Sequence, residues 1–185
     1  MTGVARRGRR PVVHHGVELR CGRQFEDEAR SAGHLLVAGV DEVGRGALCG
    51  PVVAGAVVLG DDFDDSGLDD SKRLSARQRE ALAARLRARA RAVAIGVAEP
   101  AEIDAVNILQ ATLLAMRRAI AALPLVPDLV LVDALTIPGL GVAQRAIVKG
   151  DAVSVSIAAA SIVAKVSRDA LMVALDARHP GYGPV

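Results

Sequence analysis

The chain has 185 residues, of which 51% are hydrophobic, 24% charged and only 2% aromatic, and its formal net charge is +2. That length supports one domain with a sizeable core, which must be built from Ala, Val, Leu and Ile, and the lack of aromatics argues against base recognition by stacking platforms. So small a net charge neither requires nor excludes a polyanionic partner, since a local basic patch is enough to bind phosphate.

Residues 1–22 contain Arg6, Arg7, Arg9 and Arg10 without hydrophobic periodicity and read as a flexible basic arm, leaving 23–185 as the folded domain. A solvated tail accounts for that composition, as does a nucleic-acid arm. No apolar segment follows the arginines, so neither a secretory nor a twin-arginine signal is complete and a cytoplasmic chain is expected. Pro124, Pro127 and Asp128 interrupt the longest apolar candidate below the roughly 18 residues a membrane span needs, so no membrane partner is expected. His14 and His15 have no Cys or acidic partners at ligand spacing. Cys21 and Cys49 form neither a metal spacing nor a disulfide framework, and Cys49 reads as a small buried hydrophobe.

His34 to Val40 reads as a short buried strand that ends at the adjacent acids Asp41 and Glu42 and opens onto Gly44-Arg45-Gly46. Side chains alternate along a strand, so both acids can address one metal cluster only if the chain turns there, which Gly44 and Gly46 permit. A dinucleotide loop would require G-x-G-x-x-G between a strand and a helix. Cys49 occupies the place of the third glycine, and Pro51 to Leu59 is a valine-rich second strand that suits an antiparallel pair.

Gly60 to Asp70 is an acidic loop without the alternating calcium-loop pattern. Ser75 is a candidate N-cap for a helix to about Ala90 with Leu82 and Leu86 inward, and a strand over Ala92 to Ala98 follows. Leu109, Leu113, Met116 and Ile120 repeat at helical spacing within Ile108 to Ala122. Leu129 to Val132 is an unbroken apolar strand, as expected where both sheet faces are covered, and it ends at a third acid, Asp133. Ala143 to Val148 supplies a further strand. Gly150-Asp151 then turns into a helix over Val153 to Ala177, whose Ser156, Ala159, Ala160 and Ser161 allow close packing on the sheet. On general grounds Asp151 could cap that helix.

Several segments resemble, in order, those of bacterial ribonuclease HII (type 2 ribonuclease H). They are Ala38 to Gly46 with Gly50 to Ala54, Asp70 to Ser75, Asn107 to Thr112, Leu131 to Asp133, Lys149 to Asp151, and Ala158 to Asp169. The resemblance implies a ribonuclease H-like α/β fold, a mixed five-stranded sheet flanked by helices. It implies hydrolysis of RNA in RNA–DNA hybrids and incision 5′ of single ribonucleotides embedded in duplex DNA, serving ribonucleotide removal in replication and repair. By the same resemblance Asp41, Glu42, Asp133 and Asp151 are catalytic metal ligands, Asp41 bridging two Mn²⁺ or Mg²⁺ ions, with water as nucleophile and a 3′-hydroxyl and 5′-phosphate as products. Hard cations of this kind want oxygen donors, and no His/Cys cluster is available for zinc.

The backbone of Gly44, Arg45 and Gly46 is implied to read the 2′-hydroxyl, and Ser71 and Lys72 to lie on the phosphate side. Lys165, Ser167 and Arg168 fall in a shared motif, but a solvated helix face accounts for them equally well. A monomer with nucleic acid as partner is expected. There are two departures from the family pattern: Ala134 replaces the glycine common after the third acid, and the chain ends at Val185. Family members continue beyond Gly181-Tyr182-Gly183 with a tyrosine that stacks near the RNA–DNA junction, and Tyr182 matches an earlier tyrosine. That implies weak or absent activity for these residues alone, and the alternative of a catalytically impaired hybrid-binding fragment.

Overall fold

The structure, a computed structural model, describes residues 21–178 and two short strands, β1 (Val13–His14) and β2 (Val17–Glu18), which pair antiparallel. Most of the basic arm and the segment after Arg178 lie outside the described residues.

The expected mixed five-stranded sheet is present, with strand order β5-β4-β3-β6-β7. At its centre β3 (Val37–Val43) runs antiparallel to β4 (Val52–Val58) and parallel to β6 (Leu129–Asp133). Outside these, β5 (Ala92–Ala98) pairs antiparallel with β4, and β7 (Ala143–Ile147) pairs parallel with β6. Every residue of β4 is buried, which is why its sequence shows no polar alternation.

Among the described residues, five α-helices complete the layers. α4 (Ile108–Ala121) covers one sheet face and α5 (Val155–Arg178) the other, with α2 (Ala76–Arg89) packed against α5. α1 (Gln24–Ser31) lies on the α5 side, where Ala29 joins Leu131 and Ile157, and the short α3 (Pro100–Val106) packs on α4. Ser75 caps α2 in a reciprocal box with Gln78, and Asn107 caps α4 by accepting from Leu109 N and Gln110 N, each at 3.1 Å.

Three glycines let the helices rest directly on the strands. A Cβ at Gly39 would lie 2.1 Å from Ser156 C, one at Gly55 2.4 Å from Ala160 O, and one at Gly96 2.0 Å from Ala115 O. The first two contacts seat α5 and the third seats α4.

The boundaries differ from expectation in ways that matter for the site. β3 starts at Val37, because Leu35 N and Leu36 N donate to the Asp128 carboxylate instead of joining a ladder. It also runs through the acidic pair to Val43, since β4 continues the pairing Asp41↔Gly55, Glu42↔Ala54 and Val43↔Val53. α5 starts at Val155 because Lys149, in the left-handed region at φ 56°, leads into a 3-10 turn over Gly150–Ala152. α1 and α3, of eight and seven residues, are too short for periodicity to reveal them; α3 relies on Pro100 at its start and the Glu99–Glu102 box.

Candidate active site

The parallel register sets Val40 beside Val132, so Asp41 and Asp133 follow as neighbours on adjacent strands. Ala38 and Val40 pack with the α4-side core and Gly39 faces α5, so alternation points Asp41 toward α5 and Glu42 toward the opposite face. The chain turns only after Val43, at Gly44, whose φ is 109°. Both acids nonetheless line one cleft of about 280 Å³, together with Lys72, Asp133, Ser161 and Lys165.

Asp41 is 5% exposed, and its Oδ1 accepts from Glu42 N at 2.8 Å. Burial, followed by the Glu42 charge, pushes its carboxyl well above the ordinary 3.8, against the opposing hydrogen bond from Ser161. Burial likewise raises Glu42, although its Oε1 accepts from Arg45 Nη1 at 3.1 Å. The other oxygen, Glu42 Oε2, is buried without a partner. Asp133 is raised by burial and by Asp151, and its Oδ1 accepts from Gly150 N at 2.7 Å. Asp151, in the turn before α5, is buried, and its Oδ2 accepts from Lys72 Nζ at 3.3 Å.

Four carboxylates thus gather where β3, β6 and the start of α5 meet. Burial penalises the charged forms of Asp41, Glu42 and Asp133, and one buried oxygen, Glu42 Oε2, lacks any donor. A divalent cation would answer both conditions, and the all-oxygen donor set suits Mg²⁺ or Mn²⁺. Among the described residues no three acidic, His or Cys side chains close into a preformed ligand set. Lys72 and Arg45 hold Asp151 and Glu42 in that role.

The other residues singled out in the sequence fall around this cleft. Gly46 is open, with nothing within 4 Å of an added Cβ. Ser71 is buried and its hydroxyl lies 3.0 Å from that of Ser161, while the Lys72 side chain is 81% exposed apart from its contact with Asp151. Asp70 orders their turn by accepting from Lys72 N at 2.9 Å. Ala134 adopts φ 51°, a left-handed conformation that explains the glycine common at this position in the resemblance.

Two expectations need correction. Cys49 is exposed, not buried, because the loop turns its carbonyls inward and its side chains outward; Leu48 beside it is fully exposed. Arg168 is not on a solvated face: it is 3% exposed and donates to the carbonyls of Cys49 at 2.9 Å and Pro51 at 3.0 Å. The available signal was its spacing from Ser161, two helical turns along the same face of α5.

Glu26 also went unnoticed in the sequence. This buried residue of α1 accepts from Ser154 Oγ at 2.6 Å and Ser156 N at 3.0 Å, holding the first turn of α5 just after Asp151. Glu26 belongs to a segment with no recognisable pattern, so nothing in the sequence marked it.

Residues 38–184 match the family model described as Ribonuclease HII. The chain belongs to the ribonuclease HII family. It is thus a ribonuclease H enzyme with the ribonuclease H-like fold. This ribonuclease HII chain is 61% identical over 147 residues to the ribonuclease HII of Nitrosococcus oceani, covering 80% of this chain and 73% of that relative. The crystal structure of the Pyrococcus horikoshii ribonuclease H2 superposes with a TM-score of 0.69 at 31% identity, covering 80% of this chain and 79% of that one. A Bst ribonuclease HIII crystallised with Mn²⁺ is similar in fold, with a TM-score of 0.68 at 22% identity over 81% of this chain and 57% of its own.

Proposed function

We propose that this ribonuclease HII chain hydrolyses the RNA strand of RNA–DNA hybrids and incises 5′ of single ribonucleotides in duplex DNA, with Mn²⁺ or Mg²⁺ held by Asp41, Glu42, Asp133 and Asp151. The observation that carries this reading is the side-by-side placement of buried Asp41 and half-buried Asp133 in a cleft where Glu42 Oε2 lacks a donor. When bound, such a pair of ions activates water, stabilises the leaving 3′-oxygen and neutralises phosphate charge.

The protein's own residues orient these groups. Glu42 N fixes the Asp41 carboxylate, and Gly150 N fixes that of Asp133. Lys72, which reaches Asp151 Oδ2 at 3.3 Å from an otherwise exposed side chain, is placed to meet a phosphate at the cleft, with Ser71 in the wall behind it. Ser161, a hydroxyl in the cleft, is paired with Ser71 at 3.0 Å, and the proposed nucleophile is water. The backbone of Gly44, Arg45 and Gly46, open at Gly46, is where a 2′-hydroxyl would be read. With so few aromatics, most contacts to nucleic acid go to phosphate, and the enzyme acts as a cytoplasmic monomer in ribonucleotide removal.

The test is cleavage of a duplex containing one ribonucleotide, with and without Mn²⁺, alongside an all-DNA control and end-group analysis. The expected result is a metal-dependent cut 5′ of the ribonucleotide leaving a 3′-hydroxyl. Equal cutting of the all-DNA duplex would remove the glycine loop from its role, and undiminished cutting by Asp133→Asn at saturating metal would remove the acids from theirs.

A further inference from the structure

We infer that Arg168 is a positioning residue for ribonucleotide recognition, its buried guanidinium setting the shape of the Gly44–Pro51 loop against α5. The inference rests on the reading that the Gly44–Gly46 backbone senses the 2′-hydroxyl.

Both ends of the loop meet on this one side chain. At the far end Nε donates to Pro51 O at 3.0 Å and Nη2 to Cys49 O at 2.9 Å. At the near end a Cβ on Gly44 would fall 2.8 Å from Arg168 Nε and 2.7 Å from Pro51 O. A Cβ on Gly50 would fall 3.3 Å from Arg168 Nη2 and 2.4 Å from Met172 Sδ, one turn further along α5. Glycine at 44 and 50 is therefore what allows the main chain to close down on the guanidinium, and both residues take positive φ, 109° and 84°.

The chemistry favours a role in shape. Taking a cation out of water is costly, and these hydrogen bonds go to neutral carbonyls instead of a carboxylate that would offset the cost. What a guanidinium adds is a planar fork of donors in fixed directions, which an ammonium lacks. Here the fork spans two carbonyls two residues apart and draws the loop into one conformation. The loop's side chains are consequently left outside, where Leu48 and Cys49 are exposed, and an added Cβ at Gly46 would meet nothing within 4 Å. Two turns earlier on the same helix, Ser161 lines the same cleft as Asp41. One helix thereby fixes the sensing loop relative to the cutting carboxylates.

The experiment compares wild type with Arg168→Lys, which keeps the charge but not the fork, and Arg168→Ala. Four quantities are measured: kcat and KM on a single-ribonucleotide duplex, the inhibition constant of an all-DNA competitor, the Mn²⁺-induced rise in Tm, and hydrogen exchange of amides 44–51. Arg168→Lys is expected to raise KM about tenfold or more while leaving the all-DNA inhibition constant and the Mn²⁺ response unchanged, and its loop amides should exchange faster. Should Arg168→Ala not fold, the lysine variant decides alone. Wild-type KM and discrimination in Arg168→Lys would overturn the inference, as would loop amides that stay equally protected. If wild type itself binds the all-DNA competitor as tightly as the ribonucleotide duplex, the sensing role of the loop fails, and the exchange data still decide whether Arg168 clamps it.

Discussion

Replacing Asp41 by Asn should separate stability from catalysis in opposite directions. Asp41 is 5% exposed, beside Glu42, and close enough to Asp133 for its charge to count, all of which disfavour its ionised form. Asparagine retains the packing, and its oxygen can accept from Glu42 N. Only the buried charge is lost. Relieving an incompletely compensated buried polar group is worth about 1–3 kcal/mol, so the metal-free variant should be more stable than wild type by that amount. For a domain of this size that is a rise of roughly 2–4 °C in Tm per kcal/mol. Metal reverses the ranking. At a hundred times its Kd, Mn²⁺ should stabilise wild type by about 2.7 kcal/mol, and the variant by far less. Thermal unfolding followed by circular dichroism, in chelator and in Mn²⁺, reads both effects, while cleavage should fall by orders of magnitude. A metal-free variant no more stable than wild type would refute the burial argument, and near-normal turnover would refute the ligand assignment.

The same raised carboxyls of Asp41, Glu42 and Asp133 give a pH dependence. The native state then binds more protons than the unfolded chain above the ordinary carboxylate values, so metal-free stability should fall as pH rises from about 4 through the raised native values; urea unfolding should show a flatter slope in Asp41→Asn. Gly39→Ala would drive a methyl to 2.1 Å from Ser156 C, which is backbone and cannot swing aside, so a loss of about 3 kcal/mol or more is expected in urea titrations. Ala134→Gly should relieve a left-handed alanine at φ 51° and stabilise by about 1 kcal/mol without reducing cleavage, as thermal shift and turnover would show. Glu26→Ala removes the acceptor for Ser156 N and Ser154 Oγ, so a loss of about 1–2 kcal/mol and weaker Mn²⁺ binding are expected by denaturation and metal titration.

The sheet strands were legible because their valine and alanine runs have no competing pattern; β5 was placed residue for residue and β4 within one. Parallel pairing of β3 with β6 could be anticipated only as a condition, since a residue string carries no register until two strands meet. The four acids and the glycine loop were legible through the resemblance, and all four acids also stood at expected strand ends or a turn. What stayed hidden depends on distant contacts. The Arg168 guanidinium meets carbonyls more than a hundred positions away, and Glu26 meets Ser154 from the other end of the chain. Neither contact leaves a local period or spacing. The end of β3 was misplaced for a related reason: β4, not β3's own residues, extends the ladder past Val40.

The direct seating of α5 backbone on Gly39 and Gly55 makes that helix a gauge block for the molecule. Ser161 and Arg168 are spaced by helical rise alone, about 10 Å along the axis. A loop can absorb an inserted residue, but here one extra residue between them would swing Arg168 by about 100° around the axis and away from the Cys49 and Pro51 carbonyls. Changes in length should accordingly be accommodated in the stretch from Gly60 to Asp70, which lies outside the sheet, and should be lethal to recognition anywhere between Ser161 and Arg168.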